Sequence, residues 1–274
     1  MTRLTIALLG AGSMGSAVGL ALSASGARVL TTLEGRSAAS AARAKDAGME
    51  DASLAELAAC DFILSIVPPA VAIQTAERLA PALTQADRKA VFVDCNAISP
   101  DTAATIARTV DATGAPFVDA AIIGPPSAPK FYLSGLHAAR AAVLGDAGLN
   151  VRVLDGPVGA ASALKMSYAG ITKGLTALGS AMSLAAMRNG AGEALFDELR
   201  ESQPQLAAWL DGNVPRMPPK AYRWVAEMEE IAAFIGDAYP EHRIYEGAAA
   251  LYARLASDKA ATDALIDFFG KRGK

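Results

Sequence analysis

Near the start of the chain, Gly10-Ala11-Gly12-Ser13-Met14-Gly15 sets three glycines at the hinge between an apolar run, Leu4–Leu9, and a helical pattern. A glycine there gives up packing and loses more conformational freedom on folding than any other residue, so something must come close to the backbone. A diphosphate meets that need. Gly10 permits the tight turn, Gly12 lets a pyrophosphate reach the main chain, and Gly15 lets the helix lie against the strand. Ser13 and Met14 lie between the last two glycines, just ahead of the helix expected around Ser16–Ser25, whose N-terminus offers free N–H groups and a positive dipole end to phosphate. The spacing, in its strand–turn–helix context, is a dinucleotide fingerprint.

A second cluster lies about 20 residues on, where such domains read the adenosine ribose: a carboxylate holds the ribose hydroxyls, whereas arginine accommodates a 2′-phosphate. The run Thr31-Thr32-Leu33-Glu34-Gly35-Arg36-Ser37 offers both. Arg36 beside the Ser37 hydroxyl makes a bidentate phosphate receptor. Glu34 would oppose it only by pointing inward. NADPH is therefore expected over NADH.

Elements that could hold these groups alternate along the first half. Strands are expected at Leu4–Leu9, Arg28–Leu33, Phe62–Val67, Val91–Asp94, Phe117–Ile123 and Val151–Leu154, each separated from the next by an Ala-rich helical pattern. Apolar strands alternating with helices imply a mostly parallel sheet covered on both faces, wound by right-handed crossovers. After Gly156 the pattern becomes helical throughout: Ala160–Met187, Glu193–Leu210, Lys220–Ala238, Ile244–Ser257 and Lys259–Phe269. The fold class is α/β: an N-terminal Rossmann doubly wound sheet over residues 1–156, then an all-helical domain over 157–274 entered by a long connecting helix.

Composition limits the alternatives. With 52% hydrophobic and 19% charged residues, the chain is not disordered. The net charge of −3, without a block of lysine or arginine, gives no nucleic-acid surface. Cys60 and Cys95 have the spacing of neither a zinc knuckle nor a disulfide framework, and read as buried reduced thiols. His137 and His242 are the only histidines, so no His-based metal site is expected, and His242 reads as a surface loop residue. Ser13 lacks the flanking pattern and histidine partner of a nucleophile elbow. The first strand starts close behind Met1, which leaves no room for a signal peptide. The most apolar stretch, Gly159–Met187, is interrupted by Lys165 and Lys173, as suits a buried helix and not a membrane span. A reduced cytoplasmic protein is expected. Trp224 and Met228, four residues apart, read as core or interface, and Glu227, Glu229 and Glu230 as a solvated face.

Taken in order, "GAGSMG", "SIVPP" (Ser65–Pro69), "DCNAISP" (Asp94–Pro100), "VDAAIIGPP" (Val118–Pro126) and "GPVGAASALKMSYA" (Gly156–Ala169) resemble the β-hydroxyacid dehydrogenase superfamily over essentially the whole length. That superfamily includes 3-hydroxyisobutyrate and 6-phosphogluconate dehydrogenases and, more distantly, imine reductases. The helical half is most similar to a branch whose C-terminal domain is related to that of phosphogluconate dehydrogenases and has no settled activity. The resemblance implies a nicotinamide across the strand ends, lined by Val67 and Pro68, with Asn96 meeting both nicotinamide and substrate. It places the substrate loop at Ile122-Ile123-Gly124-Pro125, the catalytic lysine at Lys165, and a homodimer through the helical domain. A positioned ammonium can give a proton to the oxygen that receives charge during hydride transfer. Burial among Ala160, Leu164 and Met166 would lower its pKa toward the working range.

Several positions depart from the family pattern. Ala169 stands where members carry asparagine; Tyr168 offers a replacement hydroxyl, unless it is a core aromatic. Asn96-Ala97 replaces a Ser-Thr pair, and Ile123-Gly124-Pro125 replaces Ser-Gly-Gly. Isoleucine offers no hydroxyl and proline no N–H, so a carboxylate grip of the family's design is impaired and a less polar substrate is expected. The reading is an NAD(P)H-dependent oxidoreductase acting on a carbonyl or alcohol carbon. An imine reductase-like or decarboxylating hydroxyacid dehydrogenase is an alternative, as is a dinucleotide-binding sensor without catalysis.

Overall fold

A central strand, β1 (Thr5–Leu9), divides its side chains between two cores, because successive residues of a strand point to opposite faces. Ile6 and Leu8 join Val18, Leu22 and Phe62 on one face; Ala7 and Leu9 join Ile63, Leu79 and Phe92 on the other. The computed structural model describes residues 3–270.

The chain continues through α1 (Ser13–Ala24), β2 (Arg28–Thr31), α2 (Ala38–Asp46), β3 (Met49–Asp51), α3 (Leu54–Ala58) and β4 (Phe62–Ser65). Then come α4 (Ala72–Gln85), β5 (Val91–Asp94), α5 (Pro100–Asp111), β6 (Phe117–Ile123), β7 (Lys130–Ser134), α6 (Ala138–Ala141), β8 (Asn150–Val153) and α7 (Ala160–Arg188). The strands form one sheet in the order β3-β2-β1-β4-β5-β6-β7-β8. From β3 to β6 all pairs are parallel; β7 runs antiparallel to β6, and β8 parallel to β7. The strand order reverses between β1 and β4, so their C-terminal ends flank a crevice, the usual ligand position in such sheets.

Two strands and one helix lie outside the sequence expectation. Strand β3 is short and carries Glu50 and Asp51, so it has no apolar signature. Strand β7 pairs Ile123 with Lys130 across the proline-rich loop 124–129, a hairpin where the alternating pattern led to a crossover. Helix α3 is held by a capping box between Ser53 and Glu56. The helical pattern between β7 and β8 is α6 followed by a 3-10 turn, Ala142–Gly145.

By its internal contacts the chain divides into Met1–Met166 and Ser167–Lys274. The strand pattern ends near Gly156, but the first turns of α7 belong to the sheet unit. The second unit holds the rest of α7 with α8 (Gly192–Ser202), α9 (Pro204–Asn213), α10 (Ala221–Ile235), α11 (His242–Ser257) and α12 (Lys259–Gly270). The continuous helix expected over Glu193–Leu210 breaks before Pro204, which stands at the first position of α9, where its missing N–H forfeits no helical hydrogen bond. Glu227 is not on a solvated face: it pairs with Lys173 of α7, whose ammonium lies 5.2 Å from the Trp224 ring centroid. Trp224 meets Tyr252 edge to face at 5.2 Å, and the Tyr252 hydroxyl donates to the Lys173 carbonyl at 2.5 Å. A charge in this apolar bundle needs a partner, and Glu227 supplies it. Among the described residues, no helix is long and apolar enough to cross a membrane.

Candidate functional site

The three fingerprint glycines serve different purposes. Gly10 has φ +101°, and a Cβ there would strike the Ile66 carbonyl oxygen; a Cβ on Gly15 would strike the Gly10 carbonyl oxygen. Both are required by the packing of the turn. Gly12 is exposed and a Cβ on it would meet nothing within 4 Å, so its side-chain position is open space beside the turn. It precedes α1 without a side-chain cap, and the first helical bond runs from Ser16 N–H to the Gly12 carbonyl. The N–H groups of Ser13, Met14 and Gly15 therefore remain available for an anion. Ser13 is exposed; the Met14 side chain packs against the core, so only its backbone faces the cradle. Arg43 donates to the Ala11 carbonyl at 2.8 Å and braces the turn.

Beyond the end of β2, Arg36 is exposed and lines a recess with Leu9, Thr32, Leu54, Thr75, Arg78 and Leu79. Glu34 is paired with Arg78 of α4. Ser37 caps α2, its hydroxyl oxygen accepting from Ser40 N–H at 3.3 Å and its hydroxyl donating to Ser40 Oγ at 3.2 Å. Ser37 is thus already occupied with its own helix.

Val67 and Asn96 are buried and turned inward. The Asn96 side-chain carbonyl accepts from Val67 N–H at 2.7 Å, while its amide donates to Ser65 Oγ at 3.0 Å and Asp94 Oδ2 at 2.9 Å. Asn96 N–H also donates to Asp94 Oδ1 at 2.9 Å. Asn96 positions the loop after β4 by way of these bonds, and Pro68, the next residue of that loop, is exposed at its rim. Burial pushes the Asp94 carboxyl up to about 7; the hydrogen bonds from Asn96 oppose the rise, and Asp119, its partner across β5 and β6, adds to it.

Asp119 builds the other wall. Its carboxyl oxygens accept from Ser134 Oγ (2.9 Å), Gly159 N–H (2.9 Å), Ser162 N–H (3.0 Å) and Ser162 Oγ (2.6 Å). Ser134 Oγ in turn accepts from Ala161 N–H at 3.0 Å. Two strands thereby cap the N-terminus of α7, where unpaired N–H groups and the dipole favour an acid. One turn further on, Lys165 Nζ donates to the Ile122 carbonyl at 2.7 Å. Burial lowers the Lys165 pKa from 10.5 to about 8. Ile123 is buried, and Gly124 has φ +109° with its Cβ position 2.8 Å from the Ala128 carbonyl oxygen, so only glycine fits that corner.

Within the sheet unit the structure brings together the glycine turn, the Val67–Asn96 loop, Ile123, Gly124 and Lys165 at the C-terminal strand ends. Tyr168 lies on α7 and is half-exposed, not core, and Ala169 is buried with no polar atom to replace the absent asparagine. Asp94, Asp119, Ser134 and Ser162 escaped the sequence reading. The signal was an acid inside each of two apolar strands, since aspartate is rarely buried without partners.

Residues 5–130 match the NAD binding domain of 6-phosphogluconate dehydrogenase, and residues 186–255 match a domain of unknown function, DUF1932. The first unit is an NAD(P)-binding Rossmann domain. That pair of domain matches, together with the fold, is similar to what the β-hydroxyacid dehydrogenase superfamily shows. An uncharacterized 28.5 kDa protein in the 7S RNA 5′ region of Methanothermus fervidus is 33% identical over 142 residues, 52% of this chain and 52% of that protein. The match thus spans about half the length of that curated relative. Among solved structures, the conserved protein MTH1747, of unknown function and structurally similar to 3-hydroxyacid dehydrogenases, is 27% identical, with a TM-score of 0.75 over 94% of this chain and 99% of that one. The 3-hydroxyisobutyrate dehydrogenase of Mycobacterium tuberculosis, with L-serine, shares the fold at 19% identity, with a TM-score of 0.73 over 99% of this chain and all of that one (100%). An imine reductase variant from Myxococcus stipitatus in complex with NAD+ also shares it, at 20% identity and a TM-score of 0.61 over 97% and 100% of the two chains.

Proposed function

We propose that the protein is an NAD(P)H-dependent oxidoreductase that acts on a carbonyl or alcohol carbon of a small organic substrate, with Lys165 as general acid/base. The observation that carries this reading is the Lys165 amine: anchored on the Ile122 carbonyl, next to the loop at Ile123 and Gly124, and lowered by burial to about 8. An amine in that range can both give and take a proton near neutral pH. When bound, the nicotinamide supplies or accepts the hydride. The cradle left open at Gly12, with the free N–H groups behind it, suits the diphosphate. Lys165 keeps one N–H on Ile122 and directs another at the substrate oxygen, so that the oxygen gains its proton as charge develops there. The exposed guanidinium of Arg36 favours NADPH. Cys60 and Cys95 are free and buried, which suits a reducing compartment such as the cytoplasm.

A second reading keeps the same amine and changes the substrate to an imine. It is favoured by the apolar Ile123 and Pro125 at the loop and by the shared imine reductase fold. NADPH consumption against matched carbonyl and imine panels, with wild type and Lys165→Met, separates the readings. Turnover of carbonyls that Lys165→Met abolishes supports the first; turnover of imines alone supports the second. Cofactor binding without any turnover leaves a dinucleotide sensor.

Exposed apolar residues of the helical unit support a partner as part of the same proposal. Ile171, Leu178 and Met182 on α7 are 69%, 59% and 54% exposed, and with Tyr168 and Leu175 they recur at alternating three- and four-residue steps. Such a stripe is a helix-packing seam, and a second copy of this chain is the proposed cover. Leu178→Glu in light scattering should turn a wild-type dimer into monomers; a monomeric wild type would remove this assignment.

A further inference from the structure

We propose that Arg78, from α4, determines coenzyme choice by receiving the 2′-phosphate jointly with Arg36, and that Glu34 is the counter-ion it gives up on binding. The inference rests on the dinucleotide reading above and deepens it. Both arginines line one recess at the end of β2, together with the apolar Leu9, Leu54 and Leu79 and with Thr32 and Thr75, the Thr75 hydroxyl donating to the Val71 carbonyl at 2.7 Å. The sequence motif pairs Arg36 with Ser37, but Ser37 is engaged in capping α2. Arg78 lies far from the motif in the chain and next to Arg36 in this recess.

Charge explains how the recess can accept a dianion beside a carboxylate. The Arg36 guanidinium has no hydrogen-bond partner among the described residues. The other acids at this edge are engaged: Asp51 accepts from Leu33 N–H at 2.9 Å, and Glu56 accepts from Ser53 N–H and Oγ, both at 2.8 Å. Glu34 is the acid paired with Arg78 among the described residues, and the pair is exposed, 76% for Glu34 and 46% for Arg78. An exposed ion pair is weak, because water screens it and both side chains lose freedom to form it. A phosphate dianion binds a guanidinium through two charge-assisted hydrogen bonds and is the stronger partner. Phosphate therefore displaces Glu34 from Arg78. NADH lacks the 2′-phosphate, so with it the pair stays closed. Glu34 thus restrains NADPH binding without preventing it, which accounts for a carboxylate and an arginine standing two residues apart in one motif.

The test is the dissociation constant of NADPH and of NADH, with adenosine 2′,5′-bisphosphate and AMP as minimal probes. It is measured by calorimetry on wild type, Arg78→Ala, Arg78→Lys and Glu34→Gln. Loss of a charged hydrogen-bond donor predicts that the NADPH:NADH affinity ratio falls about tenfold or more in Arg78→Ala. It should fall less in Arg78→Lys and rise in Glu34→Gln. The two adenosine probes should follow the same order. An unchanged ratio in Arg78→Ala, or equal weakening of both coenzymes, overturns the inference and leaves the oxidoreductase reading standing. A wild type that binds neither coenzyme overturns both.

Discussion

Ser162 meets Asp119 twice, through its backbone N–H at 3.0 Å and its hydroxyl at 2.6 Å, one helical turn before Lys165. The two contacts fix the start of α7 to β6, the strand whose Ile122 carbonyl holds the lysine amine. Asp119→Ala would leave Gly159 N–H, Ser134 Oγ and both Ser162 donors without their acceptor. The expected loss is about 3 kcal/mol or more, because each buried donor stripped of its partner carries a desolvation penalty. Ser162→Ala keeps the backbone bond and should cost about 1 kcal/mol. Urea denaturation of both variants checks the ranking; equal losses would mean that Asp119 does not act as a shared cap.

Under the proposed mechanism Lys165 should set the pH profile. Its pKa is lowered to about 8, so the ammonium predominates below that pH and the free amine above it. For carbonyl reduction, kcat/KM should fall as pH rises through about 8; for alcohol oxidation it should rise over the same interval. Lys165→Met should lower kcat by about 10²-fold or more while the NADPH dissociation constant changes little. The folded protein releases this proton more readily than the unfolded chain. Stability should therefore gain from Lys165 as pH climbs from about 8 to 10.5, a gain absent in Lys165→Met.

The glycine turn predicts a division between folding and binding. A Cβ at Gly10 or Gly15 collides with backbone oxygen, so Gly10→Ala and Gly15→Ala should lower the melting temperature markedly. Gly12→Ala meets nothing and should melt as wild type does, yet lose NADPH affinity by obstructing the diphosphate. Thermal melts beside coenzyme titrations decide it. A Gly12→Ala protein that binds normally would contradict the cradle.

Asp94 should make stability depend on mild acid. Its carboxyl is raised to about 7 in the folded protein by burial, against 3.8 ordinarily, so the folded state holds a proton that the unfolded chain has already lost. Its contribution is fully present below about 4 and declines as pH rises to about 7, flattening beyond. Asp94→Asn should remove that slope from a series of denaturation midpoints. An identical slope in the variant would reassign it to other groups.

Much of this could be read from residues alone because period and punctuation carry local structure. Six of the strands and the long helix at Ala160 follow from apolar runs bounded by glycine and proline, and the Gly10–Gly15 turn follows from its own spacing. Strand β7 did not, because a hairpin across the proline-rich loop and a crossover leave similar local patterns. The site was legible in part for a similar reason. Lys165 and the glycines belong to contiguous motifs, whereas the contacts of Asp119 with Ser162 and of Arg78 with Glu34 join residues 43 and 44 positions apart. Asn96 shows the converse: its place in a motif was evident, but that its amide turns inward to hold Val67 is a fact of packing.

The hairpin loop 124–129 hangs from a pair of strand ends closed by Ile123 and Lys130, while the α7 cap is fastened lower down the same two strands at Asp119 and Ser134. Segments of differing size and polarity could be exchanged at that tip without disturbing the anchorage of α7, and so of Lys165, beneath it. On the proposed function, recognition at the tip and proton transfer at Lys165 would be mechanically insulated from each other, and a lineage could retune the one while keeping the other.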